Sequence, residues 1–153
     1  MKKFELTSEF VTFLGKKLFR IKALISFGNV EEGELGGYVE KEENLSNDGN
    51  AWVSGDARVY GDARVSGDAM VHGDARVSGD ADYATVQGFG SEYRTTTFFR
   101  TKAGDIGVRC GCFYGTLDDF RKKVKETHGD SKTAKEYLMV ADLMEFRFSE
   151  EEV

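Results

Sequence analysis

The chain contains no proline, and only two cysteines and two histidines stand among its 153 residues. Two cysteines are too few for the disulfide framework of a small secreted domain. Two histidines cannot supply a three-histidine zinc site. The sequence also lacks a Walker loop, a Gly-x-Ser-x-Gly elbow and a His-Glu-x-x-His helix. These absences exclude the usual signatures of nucleotide hydrolysis, serine hydrolysis and zinc proteolysis.

A surplus of positive charge is missing as well, because 21 Lys and Arg stand against 27 Asp and Glu, for a net charge of −6. Neutralising phosphates requires such a surplus, so we expect no general nucleic-acid binding. No stretch approaches the ~20 apolar residues of a membrane span. The segment after Met1-Lys2-Lys3 carries charges where a signal peptide is apolar. We therefore expect a cytoplasmic protein without membrane contact.

Glycine is abundant, with 18 residues, and part of it marks a repeat. Six hexapeptides run from Gly49 to Ala84 with the pattern Gly-(Asn/Asp)-Ala-x-Val-x, and Tyr83 replaces valine in the last. Since alternate side chains of a strand point to opposite sides, the alanine and valine of each repeat share one side. A six-residue period of this kind is typical of a parallel β-helix. The side chains expected inside are those of Ala57, Val59, Ala63, Val65, Ala69, Val71, Ala75 and Val77.

The block GNAWVSGDARVYGDARVSGDAMVHGDARVSGDA resembles the hexapeptide-repeat left-handed β-helix proteins, in which three hexapeptides form one triangular coil. This resemblance implies the fold but no single activity, because acyltransferases and structural coils share it. The blocks GELGGYVEKEENLSNDGNAWV and TTTFFRTKAGDIGVRCGCFYGTLDDFRKKVKETHGDSKTAKEYL resemble uncharacterised accessory proteins of bacteriophages and prophages. That second resemblance implies a viral protein in the cytoplasm of a bacterial host.

The whole chain is predicted to be mainly β with C-terminal α structure, in three parts. Residues 1–33 form an N-terminal β-hairpin that turns at Leu14-Gly15-Lys16. Residues 34–87 form the short left-handed parallel β-helix. Residues 88–153 form a C-terminal hairpin followed by two helices.

Two details of the flanking parts follow from local patterns. Val39 and Leu45 lie twelve and six residues before Ala51, so we expect a degenerate first coil in register with the inward alanines. Thr116 is predicted to cap the first C-terminal helix, and Gly129 to end it. The second helix is predicted to begin near Ser131.

Two outer faces of the coil carry candidate sites. Residues three repeats apart stack, which places Trp52 over Met70 beside His72. Aromatic and methionine side chains are enriched in interface cores, so we expect either a subunit interface or cover by the C-terminal helices.

A second face stacks Arg58 over Arg76 beside Tyr60. Like charges one strand apart repel, so this face is either a solvated ladder of Asp and Arg or a binding site for an anion.

These observations predict a non-enzymatic binding protein that needs no metal and no cofactor. We expect a homo-oligomer, with a trimer favoured over a dimer. It would antagonise a host defence process by occluding a host protein or by sequestering a charged signalling nucleotide. The alternatives are a minimal acyltransferase with His72 as general base and a purely structural assembly module. Cys110 and Cys112 are expected to be packed, free thiols.

Overall fold

The computed structural model describes residues 2–89, 94–111 and 113–149. It is mainly β with two C-terminal helices. In chain order the strands and helices are β1 Phe4–Phe13, β2 Lys16–Ala23, β3 Leu35–Val39, β4 Trp52–Val53, β5 Arg58–Val59, β6 Met70–Val71, β7 Arg76–Val77, β8 Tyr83–Phe89, β9 Arg94–Arg100, β10 Ile106–Cys110, β11 Phe113–Thr116, α1 Leu117–His128 and α2 Lys132–Arg147. No helix in the described ranges is long and apolar enough to cross a bilayer.

The predicted N-terminal hairpin is present as β1 and β2, which pair antiparallel. Its two turn residues, Leu14 and Gly15, have φ angles of 52° and 77°. Positive φ at both positions gives a turn whose twist matches that of the strands. Strand β2 also pairs antiparallel with β3, with Phe19 opposite Val39. The hairpin therefore extends a sheet of the coil instead of standing apart from it.

The coil stacks its strands in parallel. Strands β3, β5 and β7 adjoin one another in a five-stranded mixed sheet with the order β1-β2-β3-β5-β7, and β4 pairs with β6. Trp52 lies opposite Met70, eighteen residues later. All eight alanine and valine side chains expected inside are buried. The eighteen-residue spacing between stacked strands corresponds to a coil of three hexapeptides, as the resemblance to the hexapeptide-repeat proteins implies.

The sixth hexapeptide departs from the coil. A single 3-10 turn covers Asp80–Asp82, and β8 begins at Tyr83. Tyr83 replaces the valine of the repeat, and its ring is too large for the narrow interior. Its hydroxyl donates a hydrogen bond to the carbonyl oxygen of Arg64 at 2.6 Å. The coil thus ends before residue 87, which was the end predicted from the sequence.

The predicted alignment of the first coil with the inward alanines of the repeats is wrong. Val39 lies opposite Val59 and Leu45 opposite Val65, so both align with valines and not with the alanines. These partners are twenty residues apart, two more than in the regular coil. The two extra residues fall in the corner 46–50. Lys3 fills this corner, where its Nζ donates to the carbonyl oxygen of Ala51 at 2.8 Å.

Four antiparallel strands in the order β11-β10-β9-β8 form a separate C-terminal sheet. Its central hairpin, β9 and β10, was predicted, whereas β8 and β11 were not. Helix α1 is capped by Thr116, whose Oγ1 accepts from the amide of Asp119 at 3.2 Å, and Gly129 follows its last turn. Ser131 caps α2. Both helices pack on one face of this sheet around Phe98.

Hydrophobic packing crosses both predicted domain boundaries. The core of the coil includes Phe4 and Ile21 from the hairpin and Phe99 from β9. The hairpin and the C-terminal sheet are therefore both fixed against the coil, and this decides which of its outer faces remain open.

Candidate functional site

Trp52 occupies an outward position of the coil but is only 1% exposed. The loop between β2 and β3 covers it, with the Phe27 ring in an edge contact at 5.4 Å between centroids. The prediction that Trp52 is exposed is therefore wrong. The repeat pattern could not reveal this cover, because Phe27 lies outside the repeats. Trp52 has no free surface to offer a second subunit.

The remainder of the predicted interface is covered by the C-terminal sheet, not by the helices. The amide of Met70 donates to Thr97 Oγ1 at 2.9 Å. His72 makes an edge contact with the Tyr114 ring at 4.8 Å between centroids, and the Tyr114 hydroxyl donates to Asp74 at 3.2 Å. Trp52 and Met70 lie opposite each other as predicted, but within the subunit Phe27 covers Trp52, and residues of β9 and β11 contact Met70 and His72.

His72 is also bonded to the neighbouring coil, since its Nδ1 lies 2.6 Å from Ser54 Oγ. Burial lowers the pKa of His72 below 6.5, and the nearby Arg109 lowers that pKa further. A neutral imidazole can accept a proton, as the acyltransferase alternative requires. In this structure, however, the ring joins two coils and contacts Tyr114. The enzymatic role stays a prediction.

The lowered pKa of His72 predicts a loss of stability in mild acid. The unfolded chain takes up the His72 proton more readily than the folded protein, so this contribution is fully present above pH 6.5. It is lost as the pH falls from 6.5 through the lower pKa of the folded state. We expect the urea-unfolding free energy of wild type to drop between about pH 7.5 and about pH 5.5 more than that of His72→Gln. Equal slopes in the two proteins would contradict the assignment.

The second predicted site is the face of the coil that carries the stacked arginines. It includes more residues in the structure than were predicted from the sequence. Neighbouring strands place Arg20 opposite Tyr38, Tyr38 opposite Arg58, and Arg58 opposite Arg76. These four residues form one row across the mixed sheet, here called the arginine row. Arg20 and Tyr38 were missed because they belong to the hairpin and the first coil. Only the pairing of β2 with β3 brings them into the row.

The tip of the hairpin folds over this row. The Phe13 ring lies 4.9 Å from the Arg58 guanidinium carbon and 5.7 Å from that of Arg76. The same ring makes an edge contact with Tyr60 at 5.3 Å. Contacts between guanidinium groups and aromatic faces are attractive, most strongly where water is excluded. Arg58, Arg76 and Tyr60 thus lie close together as predicted, and the Phe13 ring, which was not predicted here, contacts all three.

The hydrogen bonding of the row is uneven. Arg20 is satisfied, because it pairs with Glu9 at 3.0 Å and donates to the Tyr38 hydroxyl at 2.7 Å. Arg76 donates to the carbonyl oxygens of Asp56 at 3.1 Å and Ala75 at 2.8 Å. Arg58 Nε is buried and has no acceptor among the described residues.

Neither Arg58 nor Arg76 has a carboxylate partner within 4 Å in the described part of the chain. Burial and the adjacent Arg58 both lower the pKa of Arg76. A lowered pKa means that the fold disfavours this cation. The pair can therefore gain from an external anion, whose charge would offset the repulsion.

The cysteines provide no comparable site. Cys110 is half-buried, and Thr96 Oγ1 donates to its Sγ at 3.2 Å. Cys112 lies outside the described residues. Within the described ranges, no three His, Cys, Asp or Glu side chains are grouped to hold a metal ion.

The comparison with known families agrees with the coil. The family model described as YdcK beta solenoid repeat matches three overlapping stretches, residues 51–67, 57–73 and 63–79. These stretches lie within the parallel coil described above, so this part of the chain is a β-solenoid repeat. A comparison with curated proteins finds no match. The family match covers Arg58, Tyr60 and Arg76 but neither the hairpin nor the C-terminal sheet.

Proposed function

We propose that this chain is a non-enzymatic binding protein of phage or prophage type, built on a left-handed coil of hexapeptide repeats in the host cytoplasm. Its ligand is a small phosphorylated molecule, most simply a signalling nucleotide that it sequesters from a host defence process. The observation that carries this proposal is the pair Arg58 and Arg76, stacked one strand apart without a carboxylate partner among the described residues.

The chemistry of this pair suits a phosphate group. A guanidinium group offers several N–H donors in a planar fork that matches the oxygens of a phosphate. Arg58 Nε has a hydrogen to donate and no acceptor in the described protein. A phosphate oxygen would accept this bond and reduce the repulsion between the two cations.

The surrounding rings suit a nucleobase. Phe13 and Tyr60 adjoin the two arginines, and a base that stacks on an aromatic ring gains about 1–3 kcal/mol. Phe13 lies near the hairpin turn, so a movement of the tip would open the row without disturbing the coil. The site therefore combines a charged part for phosphate with an aromatic part for the base.

The test is calorimetric titration of the protein with a panel of linear and cyclic nucleotides, with inorganic phosphate as a further probe. We expect one class of nucleotide to bind, with an affinity that falls as salt is added. The double variant Arg58→Gln, Arg76→Gln should bind at least about a hundredfold more weakly, because each lost charged hydrogen bond is worth about 1.5–3 kcal/mol.

The matched control is Lys122→Gln with Lys125→Gln, which removes the same charge from the exposed surface of α1. It should leave the affinity unchanged. A wild-type protein that binds no member of the panel would contradict the proposal and would leave occlusion of a host protein as the better account. Equal weakening by both double variants would show that net charge, and not the arginine row, governs binding.

A further inference from the structure

Helix α2 exposes a second apolar stripe on the side opposite its buried face. Met139, Leu143 and Phe146 are exposed by 71%, 56% and 72%. They follow one another at intervals of four and three residues, the spacing of the seam between paired helices. The buried face of the same helix carries Tyr137 and Ala141, which pack against the C-terminal sheet. The exposed stripe is therefore free to contact another helix.

A groove lies beside this stripe. It has a volume of about 780 Å³ and runs between β8 and the C-terminal half of α2. Ala84 and Thr85 line one side, and Leu143 and Phe146 line the other. Exposed apolar patches bordered by a groove are typical of protein–protein contacts. A flexible methionine side chain is well suited to fill such an irregular space.

The charges that flank the stripe indicate what covers it. Glu136 and Arg147 lie eleven residues apart on α2, which is about three turns, so both stand on the same flank of the stripe. In an antiparallel pair of helices related by a twofold axis, the equivalent flanks of the two helices lie on the same side of the interface and run in opposite directions. Glu136 then comes opposite the partner subunit's Arg147.

The same antiparallel arrangement also matches the apolar side chains. When Met139 packs against the partner subunit's Leu143, Leu143 packs in the same way against the partner subunit's Met139. In this register, Glu136 lies within about one residue of the position directly opposite the partner subunit's Arg147. The surface is thus complementary to itself in both shape and charge. Neither Glu136 nor Arg147 has an ion-pair partner among the described residues, so these charges are available.

We propose that the protein forms a twofold dimer through antiparallel packing of its α2 helices. This site is separate from the arginine row, which lies on the mixed sheet, and the two proposals can fail independently. The assembly differs from the trimer that the repeat resemblance favours, and it uses residues outside the repeats.

Sedimentation equilibrium tests the interface at micromolar concentration. We expect wild type to reach twice the chain mass of 17.1 kDa, and Leu143→Glu to remain at 17.1 kDa with the circular-dichroism spectrum of the folded wild type. Leu14→Glu is the matched control, since Leu14 is 70% exposed at the hairpin turn. This variant should dimerise like wild type. A wild-type monomer or trimer would overturn the proposal.

Charge reversal tests the antiparallel orientation. Glu136→Lys converts two attractive contacts in the dimer into two repulsive ones, so the dissociation constant should rise about tenfold. Adding Arg147→Glu restores opposite charges, so the double variant should dimerise like wild type. A double variant that is weaker than Glu136→Lys alone would show that the helices do not pack antiparallel.

Discussion

Val65→Asp is expected to prevent stable folding of the coil. Val65 is fully buried between the stacked coils, and its main chain bridges to Leu45 of the first coil. Val65 belongs to the apolar core cluster of the coil, so a carboxylate at this position would lie among apolar side chains. Burying an unpaired polar group costs several kcal/mol, against a total stability of about 5–15 kcal/mol for a typical domain.

Urea unfolding followed by Trp52 fluorescence measures this loss, because Trp52 is the single tryptophan of the chain and lies in the same core. The control is Ser66→Asp, which adds the same carboxylate at the next, exposed position. This change should alter the stability by less than about 0.5 kcal/mol. If the two variants unfolded at the same urea concentration as wild type, Val65 could not lie inside.

Trp52→Ala is expected to destabilise the single subunit by about 3–5 kcal/mol, the usual loss when a large buried aromatic side chain is truncated. The indole packs between the coil and Phe27, and Gly36 lies so close that an added Cβ would stand 2.7 Å from the ring. Because these neighbours are closely packed, they can move little to fill the cavity that the substitution leaves. Unfolding should be followed by circular dichroism, because the variant lacks its only tryptophan.

Trp52→Phe separates ring packing from the indole N–H group. Trp52 Nε1 is buried without an acceptor among the described residues, so its removal relieves a group that was not hydrogen-bonded. We expect a smaller loss than for Trp52→Ala, because phenylalanine retains part of the buried ring volume. A Trp52→Ala variant that kept wild-type stability but sedimented as a smaller species would restore the interface role that the sequence suggested.

The interior of the coil was predictable because its determinants are local and repeated. Each Ala-x-Val unit points two small apolar side chains inward, and the same choice recurs in consecutive hexapeptides. Helix starts are local as well: Thr116 was identified as a cap by the residues that immediately follow it, and the second helix was predicted to begin near Ser131. Such features depend on neighbours within one or two turns, which a single sequence displays.

What covers the coil was not predictable in the same way. Trp52 and Phe27 are 25 residues apart and meet only because the loop after β2 folds back. The arginine row joins Arg20 to Arg58 across β2, β3 and β5, which belong to the hairpin, the first coil and the repeats. The two extra residues in the corner 46–50 shift Val39 and Leu45 to the valine column, and no residue type marks that insertion. These relations depend on pairing over long distances, for which periodicity contains no information.

The parallel stacking of the coil has a consequence for how its length can change. Residues eighteen apart lie above one another, so an insertion of three hexapeptides would move the hairpin and the C-terminal sheet apart by one strand spacing, about 4.8 Å, without rotation. An insertion of one hexapeptide would rotate one attachment by a third of a turn. Phe13 would then face a different side of the solenoid from Arg76. Length variants that keep the arginine row should accordingly differ by whole coils, and the coil acts as a spacer with fixed angular steps.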